Sequence, residues 1–187
     1  MANNQFDQII VAAAVNYEVS VPLIRAVIMT ESSFNPNAYR PEPAISDGSY
    51  GLMQVLFRTA VSLGFPNDPS QHTRLFDPAT NINLGTKYLA QLQRKYENVD
   101  DIYAAYNSGA VRKNAAGEYV NTKGDTGVQK RVDRFLSIYA DMVAEWESTG
   151  EAIKQADIEE KGAAESGGIA ALVLVIVAGY LTWRYFA

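Results

Sequence analysis

The uncharged run from Ile169 to Trp183, IAALVLVIVAGYLTW, sets the first limit on how this chain folds. As a helix at ~1.5 Å per residue it covers about 22 Å, short of the ~30 Å hydrocarbon core. Gly167, Gly168, Tyr185 and Phe186 extend it, and Arg184 can snorkel to the headgroups. Tyr180, Trp183 and Tyr185 cluster where an aromatic belt sits. A helix apolar on every face suits a membrane better than a water-facing surface, so residues 167–187 are expected to form a single transmembrane helix. A buried C-terminal core helix is the alternative. Ahead of the run, residues 141–165 hold eight acidic and two basic side chains, and residues 148–166 read as an acidic linker.

Residues 1–140 hold 13 acidic and 13 basic side chains. A neutral body lacks the clustered Lys and Arg of a nucleic-acid-binding face. With no cysteine, the chain has no disulfide, thiolate nucleophile or Cys-based zinc site. With His72 as its only histidine, it has no multi-His metal site. The expectation is chemistry with no metal and no cofactor, run by carboxylates, amides, hydroxyls and arginines. The first twenty residues lack a basic n-region and do not read as a secretory signal.

Residues 1–147 read as one all-α domain, since no segment keeps period-two alternation. Helices are expected over about 4–17 and from Ser20 to about Ser32, with Pro22 in the first turn. The three prolines of 35–49 read as loop. A third helix is expected from about Gly51 to Leu63. A fourth opens at Asp77-Pro78 and runs to about Tyr96. A fifth covers about Val99 to Ser108, and the last domain helix about Val128 to Trp146. Residues 109–127, with four glycines, read as a flexible excursion.

Three short patterns hold the candidate chemistry. Glu31-Ser32-Ser33-Phe34 puts a carboxylate at the end of an apolar helix. Gly51-Leu52-Met53-Gln54 opens the next element, and Ala104-Ala105-Tyr106-Asn107-Ser108-Gly109 closes a later one. With Asn81-Ile82, Gly85 and Tyr88-Leu89 between the last two, the chain resembles, over about residues 17–140, the lytic transglycosylases of the soluble-lysozyme-like, goose-type lysozyme superfamily.

The resemblance implies a lysozyme-like helical fold and a lyase acting on peptidoglycan glycan strands. Such an enzyme cuts the MurNAc-β-1,4-GlcNAc bond and leaves 1,6-anhydromuramoyl ends. It makes Glu31 the catalytic acid and then base. Ser32, Gly51, Met53, Gln54, Tyr106 and Asn107 become the substrate-binding set, with core packing as the alternative for Met53 and Tyr88. Two departures add candidates. Arg40 stands where the family often has a serine, and Arg131-Val132 stands where it often has a tyrosine beside a valine. An arginine there would lower the pKa of Glu31, and Tyr119 is a candidate replacement for the missing ring.

The apolar tail and the absent signal together lead to an expected bacteriophage virion protein. It would act in the host envelope and periplasm as a single-pass membrane protein, opening the wall during genome entry. Its partners would be glycan strands, a membrane through residues 169–186, and other virion proteins. A goose-type hydrolytic lysozyme, or a catalytically weak virion structural or channel protein, are the other classes.

Overall fold

The computed structural model describes residues 5–163. They divide into a compact unit ending at Val143 and a second unit that starts at Ala144. The expected transmembrane helix at 167–187 lies outside the described residues. Among those described, no helix is long and apolar enough to cross a membrane.

The compact unit is built from α1 (Asp7–Tyr17), α2 (Val21–Ser32), β1 (Tyr39–Glu42), β2 (Asp47–Tyr50), β3 (Val55–Leu56), α3 (Phe57–Ser62), α4 (Pro78–Gln93) and α5 (Val99–Ser108). The first part of α6 (Gly127–Ala163) completes it. α2 is its axis: every residue from Val21 to Ile28 is buried. α1 packs on α2 and α4, and α4 on α5. Tyr103 of α5 stacks on Phe135 of α6 at 4.1 Å between ring centres, both rings almost fully buried.

Helix starts follow local chemistry. Asp77 accepts the N–H of Thr80 at 2.8 Å, and Pro78 opens α4 where no N–H is needed. Gly109 closes α5 in a left-handed conformation (φ 81°), its N–H on the Ala105 carbonyl.

The expectation of an all-α domain is corrected in one region. Residues 39–56 form a three-stranded antiparallel sheet in the order β1-β2-β3, with Tyr39 opposite Tyr50 and Tyr50 opposite Val55. Strands of four, four and two residues are too short to show alternation. Pro41 is tolerated because β1 is an edge strand. The expected helix from Gly51 does not begin there, because Gly51 (φ 69°) and Gln54 (φ 47°) turn the chain from β2 into β3. Helix resumes only at Phe57, where the Asp47 carboxylate accepts the N–H groups of Phe57 and Arg58.

Two further expectations change. Residues 148–163 of the expected linker are helical, as the end of α6. Residues 109–127, expected as a flexible excursion, hold a β-bridge and two turns closed by side chains. Lys113 bridges Tyr119, Asn114 closes one turn through the N–H groups of Ala116 and Glu118, and Asn121 closes a second through those of Lys123 and Asp125. Asn and Asp side chains that hold their own backbone supply order that composition hides.

Candidate active site

A groove of about 580 Å³ runs over the compact unit, with Glu31 in its lining. The hairpin of β1 and β2 contributes Arg40, Glu42 and Ser49. β3 and the turn before it give Gln54, Val55 and Leu56. α4 and α5 give Tyr88, Tyr106 and Asn107. Asn121, Thr122, Asp125 and Arg131 follow from the segment leading into α6.

Glu31 sits in the last turn of α2, which ends abruptly. Ser33 (φ 51°) and Phe34 (φ 62°) are both left-handed, a costly arrangement for two successive non-glycine residues. The chain thus turns away at once and leaves the carboxyl facing the groove. Burial raises the pKa of Glu31 above the ordinary carboxyl value. Four neighbours pull the other way: a hydrogen bond from Tyr103, the charges of Arg40 and Arg131, and a hydrogen bond from Asn107. Burial prevails, so the carboxyl keeps its proton to higher pH than a free glutamate.

Tyr103 is the site residue that sequence reasoning missed. Its hydroxyl donates to Glu31 Oε1 at 2.9 Å. Burial first, and Glu31 second, push the phenol's pKa far up, so it remains a donor. Its signal was its place one helical turn before Tyr106 and Asn107, on the same face of α5. Tyr103 fills the role proposed for Tyr119. That expectation is corrected: the Tyr119 hydroxyl lies on Asp100 Oδ2 (2.8 Å) and Asp101 Oδ1 (2.5 Å).

The other candidates divide into two groups. Ser32 donates to the Leu52 carbonyl at 2.7 Å and so fastens the end of α2 to the Gly51–Gln54 turn. Met53 is fully buried, and a Cβ on Gly85 would lie 2.4 Å from its sulfur. Gln54 Nε2 donates to the carbonyls of Ala38 and Gly51, tying the loop after Glu31 to the turn. Gly51 is required: a Cβ there would stand 2.6 Å from both Asn81 Nδ2 and the Leu75 carbonyl. These four residues build the site.

Tyr106 and Asn107 face the groove. The Tyr106 hydroxyl donates to the Met53 carbonyl at 2.7 Å, and its ring lies against that of Tyr88. Asn107 Oδ1 takes a long contact of 3.5 Å from Arg131 Nη1. Arg131 therefore acts on Glu31 through its field, and Arg40 likewise, its guanidinium being 2.6 Å from Glu42.

Asn81 joins the parts. Fully buried, it accepts the Met53 N–H at 2.7 Å and donates to the carbonyls of Tyr50 (2.7 Å) and Leu75 (2.8 Å).

The family described as "Transglycosylase SLT domain" matches residues 8–128, which hold α1 from its second residue through α5 and every groove-lining residue except Arg131. The chain belongs to that family. It is 41% identical over 111 residues to a membrane-bound lytic murein transglycosylase C from Shigella sonnei, and 42% identical over 111 residues to one from Edwardsiella ictaluri. Each match covers 52% of this chain and 29% of the relative, so the similarity spans under a third of their length. Among solved structures, an inactive mutant of the lytic transglycosylase Slt from Pseudomonas aeruginosa superposes with a TM-score of 0.58 at 23% identity. That alignment covers 76% of this chain and 24% of Slt, and establishes a mostly helical, lysozyme-like SLT fold.

Replacing Tyr103 with Phe removes one donor that stabilises the Glu31 carboxylate, so the pKa of Glu31 rises. If Glu31 is an acid catalyst, it acts while protonated. The alkaline limb of the pH–rate profile should therefore move to higher pH in Tyr103→Phe. A limb that stays in place would show that the bond does not tune the carboxyl.

Proposed function

We propose that the chain is a peptidoglycan lytic transglycosylase with Glu31 as its single acid–base group. The observation that carries this is a protonatable carboxyl in the groove, kept above the ordinary range by burial and oriented by Tyr103. Glu31 gives its proton to the leaving O4 of GlcNAc as the bond to C1 of MurNAc breaks and positive charge grows on the sugar. The substrate's 2-acetamido group shares that charge. The 6-hydroxyl of the same MurNAc then attacks C1 and returns its proton to Glu31. The enzyme ends as it began, no water is consumed, and the new end is 1,6-anhydro.

Hydrolysis by the two-carboxylate route needs a second carboxylate free to activate water or attack C1. The groove's other carboxylates have partners: Glu42 is held by Arg40, and Asp125 Oδ1 accepts the N–H of Gly127 at 2.7 Å. Glu42 is committed to a guanidinium, which disfavours it as that second group, and the intramolecular route is the one proposed. Analysis of ends released from purified sacculi tests it. Anhydromuramoyl ends are expected, and reducing MurNAc ends would reject the lyase reading.

The run from Ile169 to Trp183 supports a finer reading, that the domain works from a membrane, in a phage particle or in the envelope it enters. Its test is whether the full chain floats with liposomes and co-purifies with virions.

A further inference from the structure

The groove receives residues from a segment that the chemistry at Glu31 does not use. Asn121, Thr122 and Asp125 lie in its lining, 13 or more residues past the end of α5. Nothing in the reaction requires them, yet the segment is held firmly. Tyr119 is buried to 4% exposure although it sits in a stretch of polar residues. Its hydroxyl lies between Asp100 and Asp101 in the first turn of α5. Lys113 stands 4.5 Å over its ring and 3.2 Å from Asp101, closing the cluster from the side. The Tyr119 N–H donates to Gln129 Oε1 at 2.8 Å, and Val120 N–H to the Arg112 carbonyl. One side chain thus ties this segment to the start of α5, and its own N–H ties it to the start of α6. The next residue, Asn121, begins the lining.

We propose that residues 112–125 form an outer wall of the groove that grips glycan beyond the sugars flanking the scissile bond, and that Tyr119 is the positioning residue setting this wall. The inference rests on the glycan reading of the groove. Polar side chains at the wall suit sugar hydroxyls and acetamido groups. A wall fixed beforehand spares the ordering cost that a loose loop would pay on binding. The Tyr119 hydroxyl is the economical point of control, because burial and the two carboxylates keep it protonated as a donor.

The test uses the full chain carrying Glu31→Gln, which holds strands without cutting them. It is titrated calorimetrically with peptidoglycan glycan oligomers of four and of eight sugars. Adding Tyr119→Phe is expected to weaken eight-sugar binding about tenfold, or ~1.4 kcal/mol, and to leave four-sugar binding as it was. Thr122→Trp leaves the Tyr119 cluster intact and alters the wall itself. It should change the eight-sugar affinity alone, and it keeps the proposal testable if Tyr119→Phe folds poorly. Equal losses on both lengths, or no change on the longer one, would overturn the proposal. Failure of the Glu31→Gln chain to bind either oligomer would instead reject the glycan reading of the groove.

Discussion

Glu31→Gln is expected to remove lytic activity by ~10²–10⁴-fold or more while the protein stays folded, and to raise the melting temperature at pH 7. The first effect follows from chemistry. Gln has the size of Glu and can still accept from Tyr103, but it cannot give a proton and take it back. The second follows from linkage. The folded-state pKa of Glu31 lies above its unfolded value, so the native state holds the proton more tightly. Stability contributed by this group is therefore full below the unfolded pKa and falls as pH rises through the folded one. Above the unfolded pKa, folding moves into a desolvated place a group that the unfolded chain holds ionised in water, and that costs stability. The neutral amide avoids it. The gain should shrink as pH is lowered and vanish near and below the ordinary glutamate pKa. Clearing assays on sacculi and paired melting curves at pH 4 and pH 7 measure both. A folded Glu31→Gln protein that clears wall material like the wild type would remove Glu31 from the mechanism. Equal melting temperatures at both pH values would show that burial does not act on it.

The helices were legible because their signals are local. Pro78 after Asp77, Gly109 after α5, and the unbroken apolar face of α2 each act within one or two turns. The sheet was not, because its strands are short and its register depends on contacts that sequence spacing hides, such as Asp47 reaching the start of α3. The same division runs through the site. Glu31, Gly51, Gln54, Tyr106 and Asn107 stood out as motif residues. Ser32 and Met53 turned out to spend their polar or apolar groups inside the protein, while Gln54 spends its Nε2 there and still lines the groove. Tyr103 escaped notice because a buried aromatic on a helix face reads as core, and only the docking of α5 beside the end of α2 turns its hydroxyl onto Glu31. Tyr119 is the converse, a ring that looked available and is consumed by two aspartates.

Asn81→Ala should be the most damaging single substitution outside the groove. Its amide satisfies three backbone groups from three places: the Met53 N–H in the turn, the Tyr50 carbonyl at the end of β2, and the Leu75 carbonyl before α4. All three lose their partner at once in a site closed to water, since Asn81 is fully buried. At ~1–3 kcal/mol for each stranded group the cost is roughly 3–9 kcal/mol, a large part of the ~5–15 kcal/mol that holds a domain together. A fall in melting temperature of roughly 10 °C or more is expected. Activity should fail before the fold does. The Met53 carbonyl anchors Tyr106 at 2.7 Å, and the Leu52 carbonyl anchors Ser32 beside Glu31, so a loosened turn releases both sides of the Glu31 carboxyl. Asn81→Asp separates the donor role from the acceptor role. It keeps an acceptor for the Met53 N–H but sets a carboxylate oxygen against two carbonyl oxygens. It should therefore destabilise at neutral pH at least as much as Ala, with partial recovery in acid, where the protonated carboxyl donates to one of them. Thermal melting at two pH values, read beside activity well below the transition, distinguishes these cases. An Asn81→Ala protein within ~1 kcal/mol of wild type would mean that the turn holds its shape without the amide, and that Gly51 and Gln54 alone determine where Glu31 faces.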